Sequence, residues 1–333
     1  MATPEGTVVG LQKSAIFRKH NLVETRYANL GTAGQTSYTR RLAYCKVEGQ
    51  RRPGIIYIPG YFAPMNIAKA NILEAFCIRT GRPFVKYDAE GVGQSVIPDV
   101  EEVSFTKWFE DACYVVEHLT DGPQMLVSSS NGAWMALLMA SRYPDRIHST
   151  LMIGPGVNQC MDDDIYEGIL ASLDKETAAR VRAGKPMRFK ANWVGEVTGS
   201  KKFLDEMKAF RITNEQLHNI KCPVRIVHAT DDSSVLWDNS VRLMDIIGHQ
   251  DVRMYLKKRG DHRMLADEDL HLLLIAVQEL LDSYPVPDGP PAPPSPLTVS
   301  LKELREAGVI GERRERDMRE TGMGGEREQK SKL

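Results

Sequence analysis

An α/β architecture, a mostly parallel central sheet flanked by helices, follows from three features of the chain. Short apolar runs rich in β-branched residues recur, stretches with helical spacing separate them, and one long interval breaks their rhythm. Such alternation buries each strand between the helices that connect it to the next. The first strand-like segment is "YTRRLAYCKVEG" at 38–49, and "GIIYIP" (54–59), "FVKYD" (84–88) and "QMLVS" (124–128) follow. "STLMI" (149–153), "VRIVHA" (224–229) and "VRMYL" (252–256) complete the set. Helices are predicted over 66–79, 105–119, 131–142 and 267–283. There apolar residues recur three and four apart, and Pro or Gly follows several of the ends.

The irregular interval lies between "STLMI" and "VRIVHA". Its length of about 70 residues is far beyond the usual loop of roughly 2–6 residues in an α/β unit. Residues 157–220, with "DIYEGILASLDKETAARVRAGK", read as a small helical lid over the strand ends. After Tyr284 the composition turns to "PVPDGPPAPPSP", a stiff polyproline-like spacer, and then to a tail of mixed charge from Lys302 to Lys332. Repeated glycines there leave at most a transient helix over 301–307. The expected organisation is therefore a core in two parts, 1–156 and 221–284, a lid over 157–220, and a linker and flexible tail over 285–333.

Composition narrows the function. With 333 residues, 42% of them hydrophobic, the chain can bury an ample core. A formal net charge of -1 from 43 basic and 44 acidic side chains leaves no electrostatic footprint for nucleic acid or an anionic membrane. A small-molecule or protein substrate is expected instead. Five scattered cysteines form no CxxC pair, which argues against a disulfide framework or a zinc site and favours a reducing compartment. No apolar run approaches the roughly 20 residues of a membrane span, and the N-terminus has no apolar core of a secretory signal, so a soluble intracellular protein is expected. Basic residues over 13–41 would suit a mitochondrial presequence, but Glu5, Glu24 and the strand pattern that follows favour ordinary opening strands.

The chemistry centres on "MLVSSSNGAW" (125–134), where small residues stand two before and two after Ser130 at a strand-to-helix junction. That is the spacing of a nucleophile elbow, in which a strained turn exposes the hydroxyl and small neighbours let strand and helix approach. Ser129 lacks that spacing. A nucleophilic serine needs a base, and the base an orienting acid. "VRIVHATDDSSVLW" places Asp232 after one strand, and "VRMYLKKRGDHRML" places His262 after the next. The order Ser, Asp, His is that of the α/β-hydrolase fold. The backbone N–H groups of Asn131 and of Tyr61, beside Gly60 in "IPGYF", are the expected oxyanion donors. Asp88 and Gly91 in "YDAEGVGQS" shape a turn that supports the elbow. Tyr61, Phe62 and Trp134 are candidates to line an acyl pocket, and Trp193 is a weaker one; aromatics near a core also serve as packing.

Competing readings were weighed for the same groups. Ser130 could simply cap a helix, Asp231 rivals Asp232, and His228 rivals His262. Asp231 reads as a solvated loop carboxylate, and His228, at the end of an apolar strand, as a buried structural histidine. Cys160 reads as an inert thiol.

"IPGYFAPMNIAKANILEAFC", "YDAEGVGQS", "DGPQMLVSSSNGAW", "VHATDDSSVLW" and "KKRGDHRML" together resemble the α/β-hydrolase domain-containing protein 10 family over about residues 38–284. These are mitochondrial serine hydrolases that act as palmitoyl-protein thioesterases and acyl-glucuronide esterases. The resemblance implies Ser130 as nucleophile, Asp232 as acid and His262 as base. Departures are Ser128 for the first glycine of the elbow, Ala133 for the glycine after it, and Leu236 for the proline before Trp237. The implied substrates are acylated proteins or small acyl esters and thioesters, with no metal and no cofactor. The tripeptide Ser331-Lys332-Leu333 reads as a peroxisomal address for an import receptor, against the family's mitochondrial location.

Overall fold

The computed structural model describes residues 22–31, 38–98, 103–158, 170–171, 173–185, 187–191 and 195–286, together with residue 167. Cys160, Trp193, the proposed 301–307 helix and the Ser331-Lys332-Leu333 tripeptide lie outside them. The strands are β1 (Arg26–Gly31), β2 (Arg40–Val47), β3 (Gly54–Ile58), β4 (Phe84–Asp88), β5 (Gln124–Ser129), β6 (Ile147–Ile153), β7 (Met187–Ala191), β8 (Gly195–Gly199), β9 (Val224–Ala229) and β10 (Val252–Lys257). The helices are α1 (Ala68–Thr80), α2 (Phe105–Tyr114), α3 (Gly132–Arg142), α4 (Lys175–Arg182), α5 (Lys201–Ala209), α6 (Asn214–His218), α7 (Trp237–Ile246) and α8 (Asp267–Ser283).

Eight strands form one sheet in the order β1-β2-β4-β3-β5-β6-β9-β10. β1 and β2 run antiparallel at one edge, and all pairs from β4 to β10 are parallel. The parallel strands β3, β4 and β5 are buried at every position, which is why they read as apolar runs with few polar residues in place of a clean alternation. Successive side chains still leave on opposite faces. Ile56 and Leu126 pack with α2 and α3, whereas Ile55, Met125 and Val127 pack with α1 and α8.

Sequence and structure part company in two places. The helix expected over 105–119 is α-helical only to Tyr114 and closes as a wide π turn over Val115–Leu119. The insertion, expected to be helical, contains the antiparallel hairpin β7–β8 beside α4, α5 and α6. The alternation in "MRFKA" is a strand period.

A buried cation fastens the antiparallel edge to the helical layer. The Arg40 guanidinium on β2 pairs with Glu90 and Glu110, and donates to Asp111 Oδ1 at 2.7 Å and to the Lys107 carbonyl at 3.0 Å. Removing one partner of a buried ionic cluster strands the others without compensation. Arg40→Met is expected to lower unfolding stability by about 3–5 kcal/mol, read from the urea midpoint.

Candidate active site

Ser130 sits between β5 and α3 with φ 53°, in the left-handed region that costs a non-glycine residue about 1–3 kcal/mol. Its neighbours keep it there. The Ser130 amide donates to the Ile153 carbonyl at 2.9 Å, and its carbonyl accepts from Ala133 and Gly156 at 2.9 and 3.0 Å. Gly132 is the indispensable small residue, because a Cβ there would lie 2.3 Å from the Pro59 carbonyl oxygen and 2.6 Å from that of Ile58. Ser128 replaces a glycine without an unsatisfied hydroxyl: it is fully buried and donates to the Leu151 carbonyl at 3.3 Å.

The three serines point three ways: Ser128 and Ser129 leave the strand on opposite faces, and Ser130 lies past the strand end on the bend at φ 53°. Ser128 leaves toward β6, and Ser129 leaves on the α1 face, where its Oγ accepts from Lys69 Nζ at 2.8 Å. Ser130 alone has its hydroxyl at the carboxyl rim of the sheet, 2.9 Å from His262 Nε2. His262 lies in the loop between β10 and α8, and its Nδ1 is 2.7 Å from Asp232 Oδ2. Asp232 lies in the loop after β9, with its side chain 1% exposed. Parallel pairing puts those two loops side by side, since Ala229 and Lys257 are register partners at the ends of β9 and β10.

The carboxylate is fully engaged. Oδ1 accepts from the amides of Ser234 and Val235, both at 2.9 Å, and Oδ2 accepts from His262 and also from His228 Nε2 at 3.0 Å. Burial pushes the Asp232 carboxyl up, but the hydrogen bonds from His228, His262 and Val235 outweigh it and hold the group well below the usual carboxylate range. His228 is fully buried, and its other nitrogen is 2.7 Å from Ser240 Oγ on α7. Its Nε2 faces both Asp232 and the Val235 carbonyl, two acceptors, so that nitrogen carries the proton. The sequence reading of His228 as a buried, hydrogen-bonded histidine agrees with this, but its bond to the acid was not foreseen. Asp231 is exposed and is bonded to Thr230 Oγ1 at 3.2 Å.

The loop after β3 lies directly against the elbow. A Cβ on Gly60 would stand 3.1 Å from both Ser129 O and Ser130 Cβ, so the Tyr61 amide beside it is brought close to Ser130. Asn131 is the N-cap of α3, so its amide precedes the intrahelical hydrogen-bond ladder. Asp88 shapes its own turn and ties it to the β3 loop: its carboxylate accepts from the amides of Gln94 at 2.8 Å and Met65 at 2.6 Å.

A cavity of about 30 Å³ opens beside the elbow, lined by Gly60, Tyr61, Asn131, Phe105, Trp108 and Met135 among others. Tyr61 is where the sequence placed it. Trp134 is not in the lining: it is fully buried, stacked on Phe105 at 5.2 Å, and donates its indole N–H to the Phe210 carbonyl at 3.1 Å. A helix that starts at Gly132 turns position 134 into the core and position 135 toward the cavity. Phe62 stands behind Tyr61 and packs on it at 4.7 Å. Phe105 and Trp108 supply the lining that had been assigned to Trp134. Their spacing in "SFTKWFED" is helical, but only the packing of α2 on α3 brings them here.

No family model matches the chain. It is 32% identical to the mouse mitochondrial palmitoyl-protein thioesterase ABHD10 over 241 residues, 72% of this chain and 79% of that one. The human protein of the same name is also 32% identical, over 72% of this chain and 76% of its own length. The solved structure of mouse alpha/beta hydrolase domain-containing protein 10 superposes with a TM-score of 0.63 at 29% identity, covering 78% of this chain and 99% of that chain. A soluble variant of monoglyceride lipase from Saccharomyces cerevisiae, 14% identical with a TM-score of 0.62 over 79% of this chain and 95% of its own, shares the fold. With a serine at the elbow of a sheet of this order, and with this degree of identity along nearly the whole folded region, the chain belongs to the α/β-hydrolase domain-containing protein 10 family of serine hydrolases.

Proposed function

We propose that the chain cleaves acyl thioesters and esters through Ser130, His262 and Asp232 by way of an acyl-enzyme, with S-acylated cysteine on a protein as the leading substrate and acyl glucuronides next. One observation carries the reading: Ser130 Oγ, the His262 ring and Asp232 Oδ2 stand in line at 2.9 and 2.7 Å. Asp232 accepts a hydrogen bond from the Nδ1–H of His262, which fixes the tautomer and leaves the Nε2 lone pair facing the serine hydroxyl. As Ser130 attacks the carbonyl carbon, its proton passes to Nε2. The negative charge on the former carbonyl oxygen is met by the Tyr61 and Asn131 amides. His262 then returns the proton to the departing thiolate or alkoxide, and a water repeats the sequence to free the acid and Ser130. A thiolate leaves easily, which suits thioesters.

The cavity beside the elbow is proposed to take the acyl carbons next to the carbonyl. The remainder of a fatty chain is proposed to run out beneath the 157–220 insertion, acting as a lid. A second class of function is a hydrolase scaffold kept as a binding protein, since fold does not guarantee activity. For location, the mitochondrial relatives favour the mitochondrion. The Ser331-Lys332-Leu333 tripeptide favours the peroxisome, and with it acyl-CoA or a lipid ester as substrate.

A fluorophosphonate probe is expected to label the wild type and not Ser130→Ala, with palmitoyl-cysteine peptide turned over only by the wild type. An unlabelled wild type would favour the binding protein, and a labelled enzyme that leaves the peptide intact would remove the depalmitoylation reading. Asp232→Asn keeps the shape of the acid but presents a donor to His262. Its kcat is expected to fall by about 10⁴-fold, as in other enzymes that share this arrangement. Adding one residue after Leu333 in a fluorescent fusion is expected to shift a peroxisomal pattern toward mitochondria or cytosol; an unchanged pattern refutes the peroxisomal address.

A further inference from the structure

Lys69 is a buried lysine that the acyl-transfer steps above do not use. It lies in the first turn of α1, 5% exposed, with apolar or buried neighbours along the whole helix. Its Nζ donates to Ser129 Oγ at 2.8 Å and to the Arg263 main-chain carbonyl at 2.8 Å. Neither acceptor is a carboxylate. One belongs to the residue before the nucleophile, the other to the residue after the base. Lys69 is thus a single group bonded to both of the loops that must meet for Ser130 and His262 to stay 2.9 Å apart.

We propose that Lys69 is a positioning residue that sets the distance between the nucleophile elbow and the base loop. The inference rests on the reading of Ser130 and His262 as nucleophile and base. Both acceptors are neutral oxygens, and one lies on the elbow while the other lies on the base loop. The charges around the ammonium come from every element packed on it: Asp261 and Arg263 in the base loop, Asp269 on α8 and Asp232 after β9. Asp269 is already committed to Lys257 and to the Ala266 amide, and Asp261 to the Met264 amide. A cation kept there without a carboxylate of its own is poorly compensated, and burial pushes the Lys69 ammonium down to about 8.

The sign of its linkage follows. The folded chain releases this proton before the unfolded chain does, so stability rises as pH climbs from about 8 toward the ordinary lysine range. Below pH 8 the buried charge opposes folding. A purely structural lysine would not be built this way, whereas a tie between two loops explains why a methionine of similar length does not stand here. The neutral amine still has two N–H donors, enough for both bonds, so the tie survives its own deprotonation.

The test compares wild type, Lys69→Met and Lys69→Gln by melting temperature at pH 7, steady-state kinetics on a short acyl thioester from pH 5.5 to 9.5, and the rate of fluorophosphonate labelling. Lys69→Met is expected to melt no lower than wild type yet to lose about 10–100-fold in kcat, with KM within about twofold, the effect of misplacing a catalytic group by a fraction of an ångström to an ångström. With the cation gone, the acid limb of its kcat/KM profile moves to higher pH. Lys69→Gln retains two donors on a shorter stem and recovers part of kcat without restoring the limb; it carries the same comparison if the methionine variant does not fold. The inference is overturned if Lys69→Met labels and turns over like wild type, or if both variants lose melting temperature in step with kcat while the pH profile stays put. Labelling separates the two layers. A labelled wild type with an indifferent Lys69→Met removes only the role of Lys69, whereas an unlabelled wild type removes the acyl-transfer reading and this inference with it.

Discussion

The backbone of Ser130 is held at φ 53°, and the chemistry depends on that bend being kept. A relaxed residue there would let α3 continue the direction of β5 and carry the hydroxyl back under the sheet. What enforces the bend is close contact: Gly132 has two carbonyl oxygens of the β3 end where a Cβ would be, and Gly60 presses on Ser129 and Ser130 from the same side. The strain is therefore sustained by the packing of the β3 end against the start of α3.

A second constraint is electrostatic. Asp232 is nearly sealed from solvent, and an ionised carboxylate in that position is stable only if its lone pairs are filled. Two loop amides and two imidazoles fill them. His228 is in turn anchored to Ser240, so helix α7 supports the acid from behind while the base engages it from the front. This chain of neutral donors keeps the acid charged and leaves His262 oriented, without moving a proton beyond the His262 ring.

Around this polar line the site is apolar. Tyr61, Phe62, Phe105, Trp108 and Phe203 interlock with ring centroids between 4.7 and 6.4 Å apart, and Tyr61, Phe105 and Trp108 of this group line the cavity. Phe203 belongs to α5, in the inserted stretch, so the insertion packs against the aromatic residues that line the cavity. Its hairpin escaped the helical reading because a short period-two run is easily lost among charged helical residues.

Much of this was legible beforehand. Strand runs such as "GIIYIP" and "QMLVS" are unbroken because parallel strands are buried on both faces, and that burial is written in composition. The candidates Ser130, Asp232 and His262 could be picked out in the same way, because such chemistry admits few residue types and each of the three sits just beyond a strand. The lining of the cavity was not readable: whether Trp134 or Met135 faces it depends on the residue at which α3 begins, and a shift of one residue turns the helix by roughly 100°. Nor could the pairings of Lys69 with Ser129 and Arg263, or of His228 with Asp232, be read, although a lysine inside "IAKANILEAF" signals a buried cation. The sequence by itself determined the layers, the strand-end positions of the reactive groups and their chemical kinds, since these follow from local periodicity and residue type. Only the tertiary structure decided which side chains meet, because hydrogen bonds of 2.7–2.9 Å join residues 30 or more positions apart and depend on how the sheet and helices pack.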